Sequence, residues 1–146
     1  CLVGSEMCIR DSGVWVDAYK RHRADFAHGT VIHGDEADPA VRVDGVVSAS
    51  GERAVYRFTQ LTTSQTYPAA PVRLLGLDPD ADYLIQPLAC NIGSGEPFTQ
   101  IGNGQSELGW WNSQGIVMNG GALTAFGLRP PCIHPANAVL FSATRV

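Results

Sequence analysis

Val72-Arg73-Leu74-Leu75-Gly76-Leu77-Asp78-Pro79-Asp80-Ala81-Asp82-Tyr83-Leu84-Ile85-Gln86-Pro87-Leu88 sets the fold class: one apolar run meets a second across an acidic turn. Asp78 suits the first position of a type I turn, where its carboxylate accepts a backbone amide, and Pro79 suits the second because its ring already holds the required φ. The stretch reads as a β-hairpin, or as two strands joined by a tight corner. Similar units on both sides of it make the chain mostly β: an antiparallel two-sheet β-sandwich of about seven to eight strands, preceded by one α-helix.

On the N-terminal side, Val41 and Val43 alternate with Arg42 and Asp44, and the strand resumes after Gly45, which reads as a bulge. Ser50-Gly51-Glu52 turns the chain into Ala54-Val55-Tyr56-Arg57-Phe58-Thr59, whose alternation points Tyr56 and Phe58 inward. Thr30 to His33 is a further short strand, followed by the acidic loop Gly34 to Pro39. Before these, Trp15, Ala18, Tyr19, His22 and Phe26 recur at spacings of three and four, a helical stripe over Val14 to His28. Asp17 then falls in its first turn, and Gly29 suits a left-handed helix stop. Residues 1–12 show no clear periodicity and read as a non-native, adapter-derived tail; Glu6 and Arg10 interrupt any signal-peptide core.

On the C-terminal side, residues 89 to 109 are glycine-rich and irregular, a long loop or insertion. Gly115 to Met118 reads as a strand, Ala122 to Phe126 as one helical turn ending at Gly127, and Ala138 to Ala143 as a final apolar strand.

One domain with a real core fits 146 residues, of which 45% are hydrophobic and 16% charged. A net charge of -4 with scattered basic residues speaks against nucleic acid, and no stretch is apolar for long enough to cross a bilayer. Cys1, Cys8, Cys90 and Cys132 lack metal spacing; a Cys90–Cys132 bridge stays open.

Few residue sets suggest chemistry. Asp78, Asp80 and Asp82 alternate as in a calcium loop, but Tyr83 and Ala89 stand where glycine and the bidentate glutamate belong. Asp35, Glu36 and Asp38 share one loop, which sets no separation for paired hydrolytic acids. His22, His28, His33 and His134 lack metal-ligand spacing. Ser94 lies outside any Gly-x-Ser-x-Gly elbow, and Gly102-Asn103-Gly104 lacks a dinucleotide loop's third glycine. No catalytic residue, metal or cofactor is assigned. Trp110 and Trp111 are the substrate-binding candidates, since indole faces stack on sugars; covering the core is the competing role.

Val117-Met118-Asn119-Gly120-Gly121-Ala122-Leu123, then Gly127-Leu128-Arg129-Pro130-Pro131, His134-Pro135 and Ala138-Val139-Leu140, resemble the end of glycoside hydrolase family 36 α-galactosidases, with Asn119 where the family usually has Ser. Trp15 to Arg23, Gly76-Leu77-Asp78-Pro79 with Tyr83, and Trp110-Trp111 match in the same order. The resemblance implies three parts: the 1–12 tail, a helix at 13–29 ending a missing catalytic (β/α)8 barrel, and a C-terminal β-sandwich at 30–146. It implies a non-catalytic fragment that supports the barrel, with Trp15, Tyr19 and Phe26 as interdomain packing residues. The parent would be a retaining, cytoplasmic bacterial enzyme whose aspartates lie upstream and which hydrolyses terminal α-galactosyl bonds without a required metal. A carbohydrate-binding module using Trp110 and Trp111 and a self-associating structural domain are the alternatives.

Overall fold

A computed structural model describes residues 2–66, 69–88 and 108–146, with side chains from Ser12 onward. In chain order the elements are α1 (Leu2–His28), β1 (Thr30–His33), β2 (Val41–Val47), β3 (Arg53–Gln60), β4 (Asp82–Pro87), β5 (Ile116–Asn119), α2 (Gly120–Ala125) and β6 (Asn137–Arg145). The six strands form one antiparallel sheet in the order β1-β2-β3-β6-β4-β5. The chain is therefore mostly β and antiparallel, as expected. A second sheet is not among the described residues.

Alternation explains β2, β3 and β6. Val41, Val43 and Val47 of β2, Ala54, Tyr56 and Phe58 of β3, and Val139, Phe141 and Ala143 of β6 share the buried face. Tyr83 and Ile85 of β4 extend that face. Tyr56 stacks on its neighbour Phe141 at a centroid distance of 5.8 Å. Side chains of this size each contribute on the order of 1.5–3 kcal/mol when removed from water, so this face is the main stabilising surface.

What covers the face differs from the expected hairpin. Val72, Leu74 and Leu77 are buried against the sheet, but Val72 to Leu75 is not a strand of it. Val72 exchanges backbone hydrogen bonds with Leu128 at 2.9 and 2.8 Å, and the Leu74 amide donates to Leu123 O at 3.1 Å. The two apolar runs thus part at the turn: Tyr83-Leu84-Ile85 enters the sheet between β5 and β6, and Val72 to Leu77 joins the layer above it. The turn itself forms as read, with the Asp80 amide donating to Asp78 Oδ1 at 3.0 Å and the Ala81 amide to Asp78 O at 3.3 Å.

Two glycines act differently from their expected roles. Gly45 makes no bulge, because β2 keeps a continuous register through the Gly45–Tyr56 pair. Tyr56 lies across it, and a Cβ there would meet Tyr56 Cδ1 at 2.5 Å. Gly29 lies outside the left-handed region; a Cβ on it would meet Val46 Cγ1 at 2.5 Å, so closeness to β2 requires the glycine. The helix also begins earlier than read, at Leu2, which places Asp17 mid-helix rather than in a first turn.

α2 follows β5 directly. Asn119 caps it, its side-chain oxygen accepting from the Gly121 and Ala122 amides at 3.0 and 3.3 Å, while its amide nitrogen donates to Ala81 O and Asp82 Oδ1. The helix stops at the expected Gly127, whose φ is +78°.

Candidate functional site

α1 has two apolar faces of different fates. Ala18, His22 and Asp25 lie three or four residues apart and turn inward. Asp25 is buried and its Oδ1 accepts from Arg53 Nη2 of β3 at 3.0 Å, tying helix to sheet. His22 Nδ1 stands 3.7 Å from Asp25 Oδ2. Burial holds the His22 imidazole below its usual range, against the opposing pull of Asp25 and with the help of Arg21 and Arg53.

The aromatic face turns out. Trp15, Tyr19 and Phe26 are 39%, 59% and 36% exposed, and Val16 beside them is exposed as well. Tyr19 and Phe26 stack at 6.0 Å with 17° between their planes, forming one continuous surface. Three aromatic rings thus share one open helix face.

The other aromatic candidates are placed in the core. Trp110 and Trp111 are 5% and 7% exposed, edge-to-face with each other at 5.0 Å and with Phe141 at 5.6 and 6.5 Å. Trp110 Nε1 donates to Arg129 O at 3.0 Å, which satisfies its polar atom. Neither indole turns a broad face to solvent.

Three carboxylates of the acidic stretches, those of Asp38, Asp78 and Asp82, are drawn into local structure. Asp78 Oδ2 lies 3.4 Å from Arg145 Nη1, and Asp82 accepts from Asn119. In the 34–39 loop, Asp38 Oδ1 accepts the Ala40 amide at 2.9 Å, and burial pushes the Glu36 carboxyl up despite nearby Arg73. Among the described residues no three His, Cys, Asp or Glu side chains converge as metal ligands. The histidines stay apart: His22 on α1, His28 at its end, His33 on β1 and His134 before β6. Ser94, Gly102-Asn103-Gly104 and Cys90 lie outside the described residues.

A charged cluster on the outer face of the sheet escaped the sequence reading. Asp44 of β2 accepts from His33 Nδ1 at 2.8 Å, Arg42 Nε at 3.0 Å and Arg57 Nη2 at 2.7 Å. Burial alone would raise the Asp44 carboxyl; the hydrogen bonds from His33, Arg57 and Arg42 outweigh it and hold the group well below the usual carboxylate range. Only the strand register, which sets His33 opposite Asp44 and Asp44 opposite Arg57, brings these residues together.

A family model described as the glycosyl hydrolase family 36 C-terminal domain matches residues 41–142. Among solved structures, the chain is similar to the galactosidase domain of the α-galactosidase-sucrose kinase AgaSK (22% identity, TM-score 0.63), covering 90% of this chain and 15% of that one. It is likewise similar to the family 36 α-galactosidase AgaB of Geobacillus stearothermophilus (21% identity, TM-score 0.61, 90% and 15%) and to the α-galactosidase of Lactobacillus brevis (21% identity, TM-score 0.60, 90% and 16%). No curated protein matches. The chain thus spans about one-seventh of the length of the solved relatives, and these likenesses speak to its fold.

Proposed function

The chain belongs to the glycosyl hydrolase family 36 C-terminal domain family, and from that premise we propose that it is the non-catalytic supporting domain of an α-galactosidase, which packs on a catalytic (β/α)8 barrel. The observation that carries this reading is the open aromatic face of α1, set beside a cluster of buried core residues. Trp15, Tyr19 and Phe26 are the packing residues. Covering their exposed area would stabilise the joint by on the order of 1 kcal/mol for each ring.

In this reading residues 13–29, the later part of α1 with Gly29, end the barrel, residues 30–146 form the supporting domain, and residues 1–12 are a non-native tail. The covering layer, linked by the Val72–Leu128 bridge, serves as the second layer of a β-sandwich. The parent removes terminal α-galactosyl groups from oligosaccharides by a retaining mechanism, in a bacterial cytoplasm, with both catalytic carboxylates contributed by the barrel. No described helix is long and apolar enough to cross a membrane.

The test is direct. Purified residues 13–146 are expected to leave an aryl α-galactoside unhydrolysed, and clear turnover by that protein overturns the reading. Titration with galactose or raffinose separates the carbohydrate-binding alternative: core packing of Trp110 and Trp111 predicts no saturable change in Trp fluorescence. Saturable quenching that disappears in Trp111→Ala would favour the module instead. Sedimentation of the same protein addresses self-association.

A further inference from the structure

We propose that the docking surface continues from α1 onto the outer face of the sheet, and that the element of the larger neighbour seated there brings a carboxylate to Arg42 and Arg57. This rests on the supporting role proposed above and assigns the face, the residues and the chemistry of the contact.

The outer face carries two parallel rows. Register places His33, Asp44 and Arg57 side by side across β1, β2 and β3, and Val31, Val46 and Val55 side by side in the next row. Together with Leu140 of β6 and Phe26 of α1 these residues line a groove of about 310 Å³. Phe26 is therefore both the end of the aromatic helix face and a wall of the groove, so the two surfaces are continuous. A solvated sheet face would alternate polar residues outward, whereas here an exposed Val31 on β1 and a partly exposed Leu140 on β6 flank the groove from opposite sides.

Charge selects the occupant. Arg42 and Arg57 share one carboxylate, Asp44, so the rim carries a net positive charge on a chain whose formal charge is -4. Both guanidinium groups are more than half exposed, and each places a single nitrogen on Asp44. A guanidinium with remaining N–H donors is matched by the two oxygens of a carboxylate, and a desolvated setting strengthens that pair. The solved relatives are about six times as long as this chain, which is ample material for an apolar segment bearing one acid.

Hydroxyl-radical footprinting of the 146-residue chain and of the longer protein that contains it tests this. Oxidation at Val31, His33 and Leu140, measured relative to the exposed Phe126, is expected to fall about tenfold in the longer protein, together with Tyr19 and Phe26. Shielding of Tyr19 and Phe26 with Val31, His33 and Leu140 still reactive overturns this inference and leaves the supporting role intact. Reactivity at all five sites overturns both. Loss of reactivity with rising concentration of the short chain assigns the groove to a second copy and also overturns it. In the longer protein, Arg42→Gln with Arg57→Gln is expected to restore labelling at Val31 and His33 while Tyr19 stays shielded. Unchanged labelling in a variant that keeps its melting temperature rules out the carboxylate.

Discussion

Tyr83→Phe isolates the polar contribution of one buried hydroxyl. The Tyr83 ring is fully buried on β4, and its hydroxyl donates to Gly51 O at 2.8 Å while accepting the Asp78 amide at 3.1 Å. It therefore pins the β2–β3 turn to the turn that opens β4. Phenylalanine keeps the ring and its packing, so the loss is confined to these two bonds and to the backbone groups left unpaired. At roughly 0.5–1.5 kcal/mol for each bond the cost is about 1–3 kcal/mol. For a chain of this length that corresponds to a fall in melting temperature of about 3–10 °C. Tyr56→Phe is the internal comparison: its hydroxyl makes one such bond, to Leu75 O at 2.7 Å, and its loss costs about 1 kcal/mol. Urea unfolding followed by Trp fluorescence reads both as midpoint shifts at constant slope. A Tyr83→Phe loss below about 0.3 kcal/mol, or smaller than that of Tyr56→Phe, rules out a stabilising link between the two turns through this hydroxyl.

Ala136 holds a φ of +61°, a left-handed conformation that strains an L-residue; Ala136→Gly is expected to stabilise the chain by about 0.5–1 kcal/mol in the same urea assay. Gly45→Ala drives a methyl into Tyr56 and should destabilise by roughly 1–3 kcal/mol, seen as an earlier thermal midpoint. Phe58→Ala opens a cavity at a fully buried site, at a cost of roughly 3–5 kcal/mol. For pH, Asp44 sits below its ordinary value when folded, so its contribution is complete above the carboxylate range and is lost as pH falls through and below it. His22 is also held low, so protonation favours the unfolded chain as pH falls through the imidazole range. Melting temperature should therefore drop on acidification, and Asp44→Asn should flatten the lower limb of that profile.

The legible parts of the fold are those in which local pattern and tertiary environment agree. β3 alternates Tyr56 and Phe58 with Arg57 and Thr59, and a half-buried strand accepts that pattern unchanged. The 78–81 turn follows from Asp78 and Pro79 alone. Val72 to Leu75 shows the opposite case, since an apolar run does not say whether it will join a sheet or lie upon it; Leu123 and Leu128, some fifty residues later, make that choice. Gly45 and Gly29 looked like backbone devices, yet what requires them is a neighbour, Tyr56 in one case and Val46 in the other. On α1 the 3–4 spacing merged two faces into one stripe, and Asp25, on the inward one, fixes which side meets the sheet through its pairing with Arg53. The groove was illegible for a similar reason: His33, Asp44 and Arg57 meet only through strand register.

Strand order carries a consequence for biosynthesis. β6, latest of the strands to leave the ribosome, lies between β3 and β4 and bonds to both. Until it is made, the β1-β2-β3 meander and the β4-β5 pair share no strand, and their inward aromatics remain more open to chaperones and proteases. A chain broken before Asn137 would lack the strand that joins the two parts of the sheet, so the loss of this one segment divides the sheet rather than shortening its edge.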